Sequence, residues 1–208
     1  MTIDFENLLA TGLNGCNLTL PPGAMARLAV YFNELLKWSK KVNLIAKDTD
    51  PERIVENHFL DSLTILPLVS GSGRHLLDIG SGAGFPGLVC KAACPELAVT
   101  LVEPRAKRVS FLGHIVRTLD LHGVTIRTCR IEDEGQLPSA SAFSHITGRA
   151  VTEIGPFLRM VERFASGGPQ IICMKGPKWR EELAAAADSI SSSPFTFDRV
   201  VEHILPFS

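Results

Sequence analysis

The chain has 208 residues, with 21 Lys and Arg against 22 Asp and Glu, and a formal net charge of −1. An apolar fraction of 45% beside 21% charged residues is that of a globular protein able to bury a substantial core. These figures exclude a protein that coats nucleic acid over its whole surface, and no apolar run is long enough for a helix to span a bilayer.

The opening "MTIDFENLLA" carries acids where a secretory signal would carry bases, so the expected location is cytoplasmic. From Pro22 to Lys41 the apolar positions Met25, Leu28, Ala29, Phe32, Leu35 and Leu36 recur at helical spacing, with Pro22 suited to the first turn. A second helix is predicted from about Pro51 to Leu66, with Ile54, Val55, His58, Phe59, Ser62 and Leu66 on its inner face. "VSGSGR" (69–74) reads as a loop and the best boundary in the chain, dividing an N-terminal helical extension (1–70) from a ligand-binding domain (71–208). Beyond it strands are predicted at 75–79, 98–103, 124–129, 142–148 and 169–175, with helices at 86–93, 106–121, 152–165 and 180–190. "FTFDRVVEHIL" (195–205) reads as a sixth strand. Alternation at this spacing predicts an α/β fold, a doubly wound, mostly parallel sheet with helices on both faces. Five cysteines, at 16, 90, 94, 129 and 173, form no CxxC pair and read as reduced apolar residues; no metal site is expected.

"HLLDIGSGAGFPGL" (75–88) places a glycine loop directly behind the first strand of that sheet, where such folds bind ligands. Glycines 80, 82, 84 and 87 permit positive φ and the approach of a ligand to bare backbone. Gly82, Gly84 and Gly87 match the GxGxxG dinucleotide pattern, and Glu103 lies where an acid would take the ribose of NAD. A P-loop is excluded, since no Gly-Lys-Ser/Thr closes the loop. Asp78 tips the choice toward S-adenosylmethionine: a carboxylate opposes a pyrophosphate but favours a sulfonium and an ammonium. A second reading of Asp78 is a cap for the following helix. Glu103, ending the second strand, is positioned to accept both ribose hydroxyls, and "CRIEDE" (129–134) to meet the adenine edge.

"WSKKVNLIA" (38–46), "NHFLDSL" (57–63), "DIGSGAGFPGL" (78–88), "KRVSFL" (107–112), "RIED" (130–133), "GRA" (148–150) and "MKG" (174–176) follow one another as in the small-subunit ribosomal RNA methyltransferase G family, also called glucose-inhibited division protein B. The chain resembles that family from about Trp38 to Gly176. The resemblance implies a class I, Rossmann-like methyltransferase that moves a methyl group from S-adenosylmethionine to N7 of guanine 527 in 16S ribosomal RNA. It implies cofactor contacts from Gly80, Phe85, Ile131, Glu132 and Arg149, with Glu103 on the ribose. Asp78, Gly82 and Gly84 complete the expected cofactor set. The chain departs from the family pattern at Glu103-Pro104, at Gly148 in place of a serine, at "NLIA", and in stopping short of the usual closing strand.

Guanine N7 bears a lone pair and no proton, so no general base is expected. Asn43, His58, Asp61 and Arg149 are the substrate-side candidates. His58 and Asp61, three apart on one helix, are placed to face each other. The expected RNA contacts are Lys40, Lys41, Arg105, Lys107, Arg108, Lys175 and Lys178, which gather in loops at one sheet edge and along the first helix. Trp38 reads either as packing for that helix or as a stacking partner for a base. The expected partner is 16S ribosomal RNA, within the small subunit or an assembly intermediate, and the expected state a monomer. Two alternatives stand beside this reading: an NAD-dependent oxidoreductase, and a non-catalytic RNA-binding protein of the same fold.

Overall fold

Five strands carry the sheet in the computed structural model, which describes residues 4–46, 49–137 and 142–206. They are β1 (His75–Ile79), β2 (Ala98–Val102), β3 (Val124–Arg127), β4 (His145–Arg149) and β5 (Gln170–Met174), in the order β3-β2-β1-β4-β5. Every pairing is parallel. The order reverses between β1 and β4, where Asp78 pairs with Thr147 and Ile79 with Gly148. The carboxyl ends of these two strands therefore form the crevice in which open α/β sheets place their ligands.

Successive residues of the central strands serve opposite faces, as pleating demands. Leu76, Val99 and Leu101 join the core beneath the N-terminal helices, while Leu77, Ile79 and Val102 join a second core with Ile146, Phe157 and Phe164. The first core is covered by helices α1 (Phe5–Gly15), α2 (Ala24–Ser39), α6 (Gly87–Ala93) and α7 (Ala106–Thr118), and by a helical run over 51–69. The second is covered by α8 (Ile154–Val161) and the 3-10 turn Glu162–Gly167. Helices on both faces are as the sequence predicts. Among the described residues no helix is long and apolar enough to cross a membrane.

Three elements differ from expectation. Helix α1 was not predicted, although Asp4 caps it by accepting from the Asn7 amide at 3.1 Å, and Phe5, Leu9 and Leu13 bury one stripe. The helix expected over 51–66 is interrupted. It runs α3 (Pro51–Ile54), a π-helical segment Val55–Leu60 and α4 (Asp61–Leu63), then restarts as α5 (Leu66–Val69). The sixth strand at 195–205 does not form; after α9 (Trp179–Ala185) and α10 (Ala187–Ser192) the backbone is irregular to residue 206. Its apolar residues lack a single period: Phe195 and Phe197 alternate, but Val200 and Val201 are adjacent, and Phe197, Val200, Val201 and Ile204 are all exposed. Nothing in that pattern fixes a face for pairing with β5.

Candidate active site

The glycine loop leaves β1 with Gly80, Gly82 and Gly84 at φ of 69°, 59° and 94°. The Gly80 and Ser81 amides donate to the Val102 carbonyl at 2.9 and 3.1 Å, pinning the loop to the end of β2. Two of the glycines expected to serve a ligand are required by packing as well. A Cβ on Gly84 would lie 2.1 Å from the Tyr31 hydroxyl, which donates to the Ala83 carbonyl at 2.5 Å. A Cβ on Gly87 would lie 2.7 Å from the Asp78 side chain. Gly82 meets nothing closer than 3.8 Å and is the position where the backbone lies open.

Asp78 lies beneath the loop and is fully buried. Its Oδ2 accepts from the Gly87 amide at 2.9 Å, while Oδ1 is enclosed and has no hydrogen-bond partner among the described residues. Burial pushes its pKa up to about 7, against the opposing pull of the Gly87 and Ser81 hydrogen bonds. Glu103 is likewise buried. Its Oε2 accepts from the Gly82 amide at 2.9 Å and its Oε1 from the Arg105 amide at 2.8 Å, with Arg108 at 3.7 Å. One carboxylate thus braces the loop from below and the other ties it to β2.

Arg149, the last residue of β4, gathers the substrate-side candidates. Its Nη1 donates to Asp61 Oδ2 at 2.8 Å and to the Asn57 carbonyl at 2.5 Å, and its Nη2 stands 3.0 Å from His58 Nδ1. The guanidinium carbon lies 5.2 Å from the centre of the Phe85 ring, on which His58 stacks at 4.8 Å and 15°. His58 and Asp61 therefore face Arg149 and not each other. The π-helical turn helps, because it redirects backbone carbonyls that an α-helix would consume: that of Asn57 takes Arg149, and that of His58 takes the Ser62 hydroxyl. Beyond Arg149, Ala150 adopts a left-handed φ of 54°, uncommon for a residue with a side chain. Gly148 is required by α8, since a Cβ there would fall 2.6 Å from the Phe157 ring.

Asn43 is exposed and apart from this cluster, lining a groove of about 690 Å³ with Ser39, Lys40, Lys41, Thr49 and Lys107. Two of the basic segments expected to meet RNA are thereby joined, the end of α2 and the start of α7. Arg105 is exposed beside them and Arg108 is half-buried against Glu103. Lys175 does not share this freedom: its ammonium lies 2.6 Å from Glu182 and donates to the Thr152 carbonyl at 2.7 Å. Lys178 is exposed in the turn before α9. Trp38 packs against Phe111 and His114, at 5.6 and 5.0 Å, as a core side chain. Ile131 is buried, its carbonyl held by Arg163, and Glu132 beside it is exposed. Tyr31 and Arg163 had no place in the sequence reading. Tyr31 carried a signal, as the only tyrosine of the chain in the buried stripe of α2. Arg163 carried none, since its partner lies 32 residues away. Among the described residues no group of His, Cys, Asp or Glu is arranged to hold a metal ion.

Strand order, a glycine loop at the switch point and a carboxylate closing β2 define a class I methyltransferase of the Rossmann-like type. Its fold is shared with coclaurine N-methyltransferase bound to N-methylheliamine and SAH, with a TM-score of 0.50 at 15% identity over 81% of this chain and 55% of that one. Residues 24–204 match the family model GidB, rRNA small subunit methyltransferase G. Over 208 residues the chain is 54% identical to the Ribosomal RNA small subunit methyltransferase G of Desulfotalea psychrophila, covering 100% of this chain and 95% of that one. Over 184 residues it is 39% identical to that of Myxococcus xanthus, covering 88% and 84%. The chain belongs to the rRNA small subunit methyltransferase G family. It is an S-adenosylmethionine-dependent enzyme that methylates 16S ribosomal RNA, and the NAD reading falls.

Proposed function

We propose that this protein methylates N7 of guanine 527 in 16S ribosomal RNA presented by the small subunit or an assembly intermediate, and that it works as a cytoplasmic monomer. The observation that carries the placement of the cofactor is the pair of buried carboxylates under the glycine loop. An enclosed oxygen without a partner, Asp78 Oδ1, suits a cationic ligand, whereas the Gly87 amide that a pyrophosphate would need is already taken by Asp78. The residues present therefore fit S-adenosylmethionine, which when bound supplies an electrophilic methyl group on a sulfonium.

Gly80, Gly82 and Gly84 offer it backbone, Glu103 the ribose acid, and Ile131 and Glu132 the adenine side, while Asp78 supports the loop and Phe85 and Arg149 close the methionine side. These residues bind, orient and exclude water; alignment of this kind lowers a barrier by roughly 7–11 kcal/mol. The N7 lone pair attacks directly, so no side chain has a proton to remove. The methylated base is a cation, and the Arg149 charge beside it is balanced by Asp61 at 2.8 Å. Lys40, Lys41 and Lys107 line a groove in which no described residue is acidic, a surface suited to RNA phosphates.

Incubation with small subunits, with naked 16S RNA and with labelled S-adenosylmethionine, followed by aniline cleavage at N7-methylated guanine, tests the proposal. A single labelled guanine, favoured on the assembled substrate, is expected. Label on a pyrimidine, or at guanine N2, would overturn the assignment.

A further inference from the structure

The contact between Arg149 and His58 fixes more than the position of Arg149. A guanidinium has donors only, so the ring atom 3.0 Å from Nη2, Nδ1, must present its lone pair. Burial and the charge of Arg149 keep the imidazole neutral, its pKa lowered to about 4. The single ring proton therefore resides on Nε2. Stacking on Phe85 sets the plane of the ring, and Ser62, through the His58 carbonyl, sets the backbone beneath it. Nε2 makes no hydrogen bond to any described residue, and the half-buried ring leaves it unenclosed. The cluster thus displays one N–H donor that cannot become an acceptor, because a change of tautomer would bring two donors together at Arg149.

Resting on the reading of this site as a guanine-N7 methyltransferase, we infer that His58 is the specificity-determining residue for the acceptor base, its Nε2–H donating to O6 of the purine whose N7 is methylated. Guanine presents N7 and O6, both acceptors, along that edge, whereas adenine presents N7 and an amino donor. A fixed donor accepts the first base and meets donor with donor on the second. A neutral imidazole also suits the product better than Lys or Arg would, since it adds no full positive charge beside a base that becomes cationic.

The test combines base and side-chain changes in one cycle. Small subunits are reconstituted with guanine, inosine (O6 kept) or 2-aminopurine (O6 absent) at the target position, and kcat/KM for methyl transfer is measured for the parent, His58→Phe and His58→Gln. The parent is expected to treat guanine and inosine alike and to prefer them to 2-aminopurine by about 10- to 100-fold more than His58→Phe does, as for one buried hydrogen bond lost. His58→Phe keeps a ring on Phe85 but no donor, so it should slow guanine while slowing 2-aminopurine little. His58→Gln, which can accept from Arg149 and still donate, should restore part of the preference. Because the ratio of ratios is read, differences in the intrinsic reactivity of N7 cancel.

Equal slowing of guanine and 2-aminopurine by His58→Phe would mean that His58 acts only through Arg149, and would overturn this inference while leaving the methyltransferase reading intact. Should His58→Phe fail to bind S-adenosylmethionine by calorimetry, the His58→Gln arm and the parent's own response to O6 removal decide the matter. A parent indifferent to O6 removes the inference. Absence of turnover by the parent on any RNA removes both readings together.

Discussion

At the scale of single residues, the two buried carboxylates make opposite demands. Asp78 has a pKa near 7 because burial penalises its charge more than Gly87 and Ser81 relieve it. A carboxyl whose folded pKa is raised stabilises the fold below its ordinary value of 3.8, and that stability is lost as pH rises through about 7, by roughly 4 kcal/mol at most. His58 runs the other way: its stabilisation is present above 6.5 and is lost as pH falls toward about 4. Comparing parent with Asp78→Asn across this range isolates the Asp78 contribution, and the variant's melting temperature should fall less than the parent's between pH 5 and pH 8. A cationic ligand near Asp78 draws its proton off, so S-adenosylmethionine binding at pH 7 should release a fraction of a proton. Calorimetry in two buffers of different ionisation enthalpy measures this, and Asp78→Asn should abolish it. Glu103 instead accepts from two amides and ties the loop to β2. Glu103→Ala should weaken S-adenosylmethionine binding by about 1–3 kcal/mol, and Glu103→Gln by less, since one acceptor survives. Unchanged affinity of Glu103→Ala in the same calorimeter would remove Glu103 from the cofactor site.

At the scale of elements, the glycine loop is held from outside as well as from within. Tyr31 of α2 reaches the Ala83 carbonyl and lies parallel to Phe85, with centroids 6.2 Å apart, so an N-terminal helix is part of the wall of the site. Gly84→Ala places a methyl 2.1 Å from the Tyr31 hydroxyl and 2.8 Å from Leu88 Cβ, at a φ of 94° that side chains rarely adopt. The expected cost is about 3 kcal/mol or more by urea denaturation, from overpacking and backbone strain together. Tyr31→Phe alone should cost about 1–2 kcal/mol through the Ala83 carbonyl left without its donor. Combined, the two should cost less than their sum, because removing the hydroxyl frees the space that the methyl needs. An additive result would show that φ, not Tyr31, dictates the glycine. The loop was legible in the sequence as a loop, but the reason for Gly84 was not, since Tyr31 lies 53 residues before it; Gly87 instead meets Asp78, nine residues before, at the start of the helix for which Asp78 reads as a cap. Helix α1 was legible and overlooked, for Phe5, Leu9 and Leu13 recur every four residues behind a capping Asp. The π-helical turn left no local mark. Its cause is tertiary: the Asn57 carbonyl and the His58 ring are held by Arg149, 92 and 91 residues further on. The supposed sixth strand failed for the converse reason, a β-like composition without the two-residue period that would choose a face.

At the scale of the whole molecule, a net charge of −1 provides no general attraction to RNA, so recognition must depend on where the cations stand. Charge is segregated by engagement. Lys175 is neutralised by Glu182, Arg149 by Asp61, and Arg108 lies near Glu103, all around the crevice. Lys40, Lys41 and Lys107 instead line a groove between α2 and α7 with Asn43, Ser39 and Thr49, and no ion pair joins these lysines to a described acid. A cation already paired within the protein releases few counterions on meeting a phosphate, whereas a free one contributes nearly a full unit to the salt dependence. The triple variant Lys40→Ala, Lys41→Ala, Lys107→Ala should therefore lower affinity for 16S RNA and reduce the slope of log K against log salt by about 2–3. Lys175→Ala should leave that slope unchanged, although it removes the same formal charge. Filter binding across a salt series, with S-adenosylmethionine affinity followed in parallel, separates the cases. The groove lies on elements other than the glycine loop, so cofactor binding should survive the triple substitution. Equal slopes for the parent and the triple variant would place the RNA elsewhere on the surface, and an equal loss of slope in Lys175→Ala would show that net charge, not its arrangement, governs the encounter.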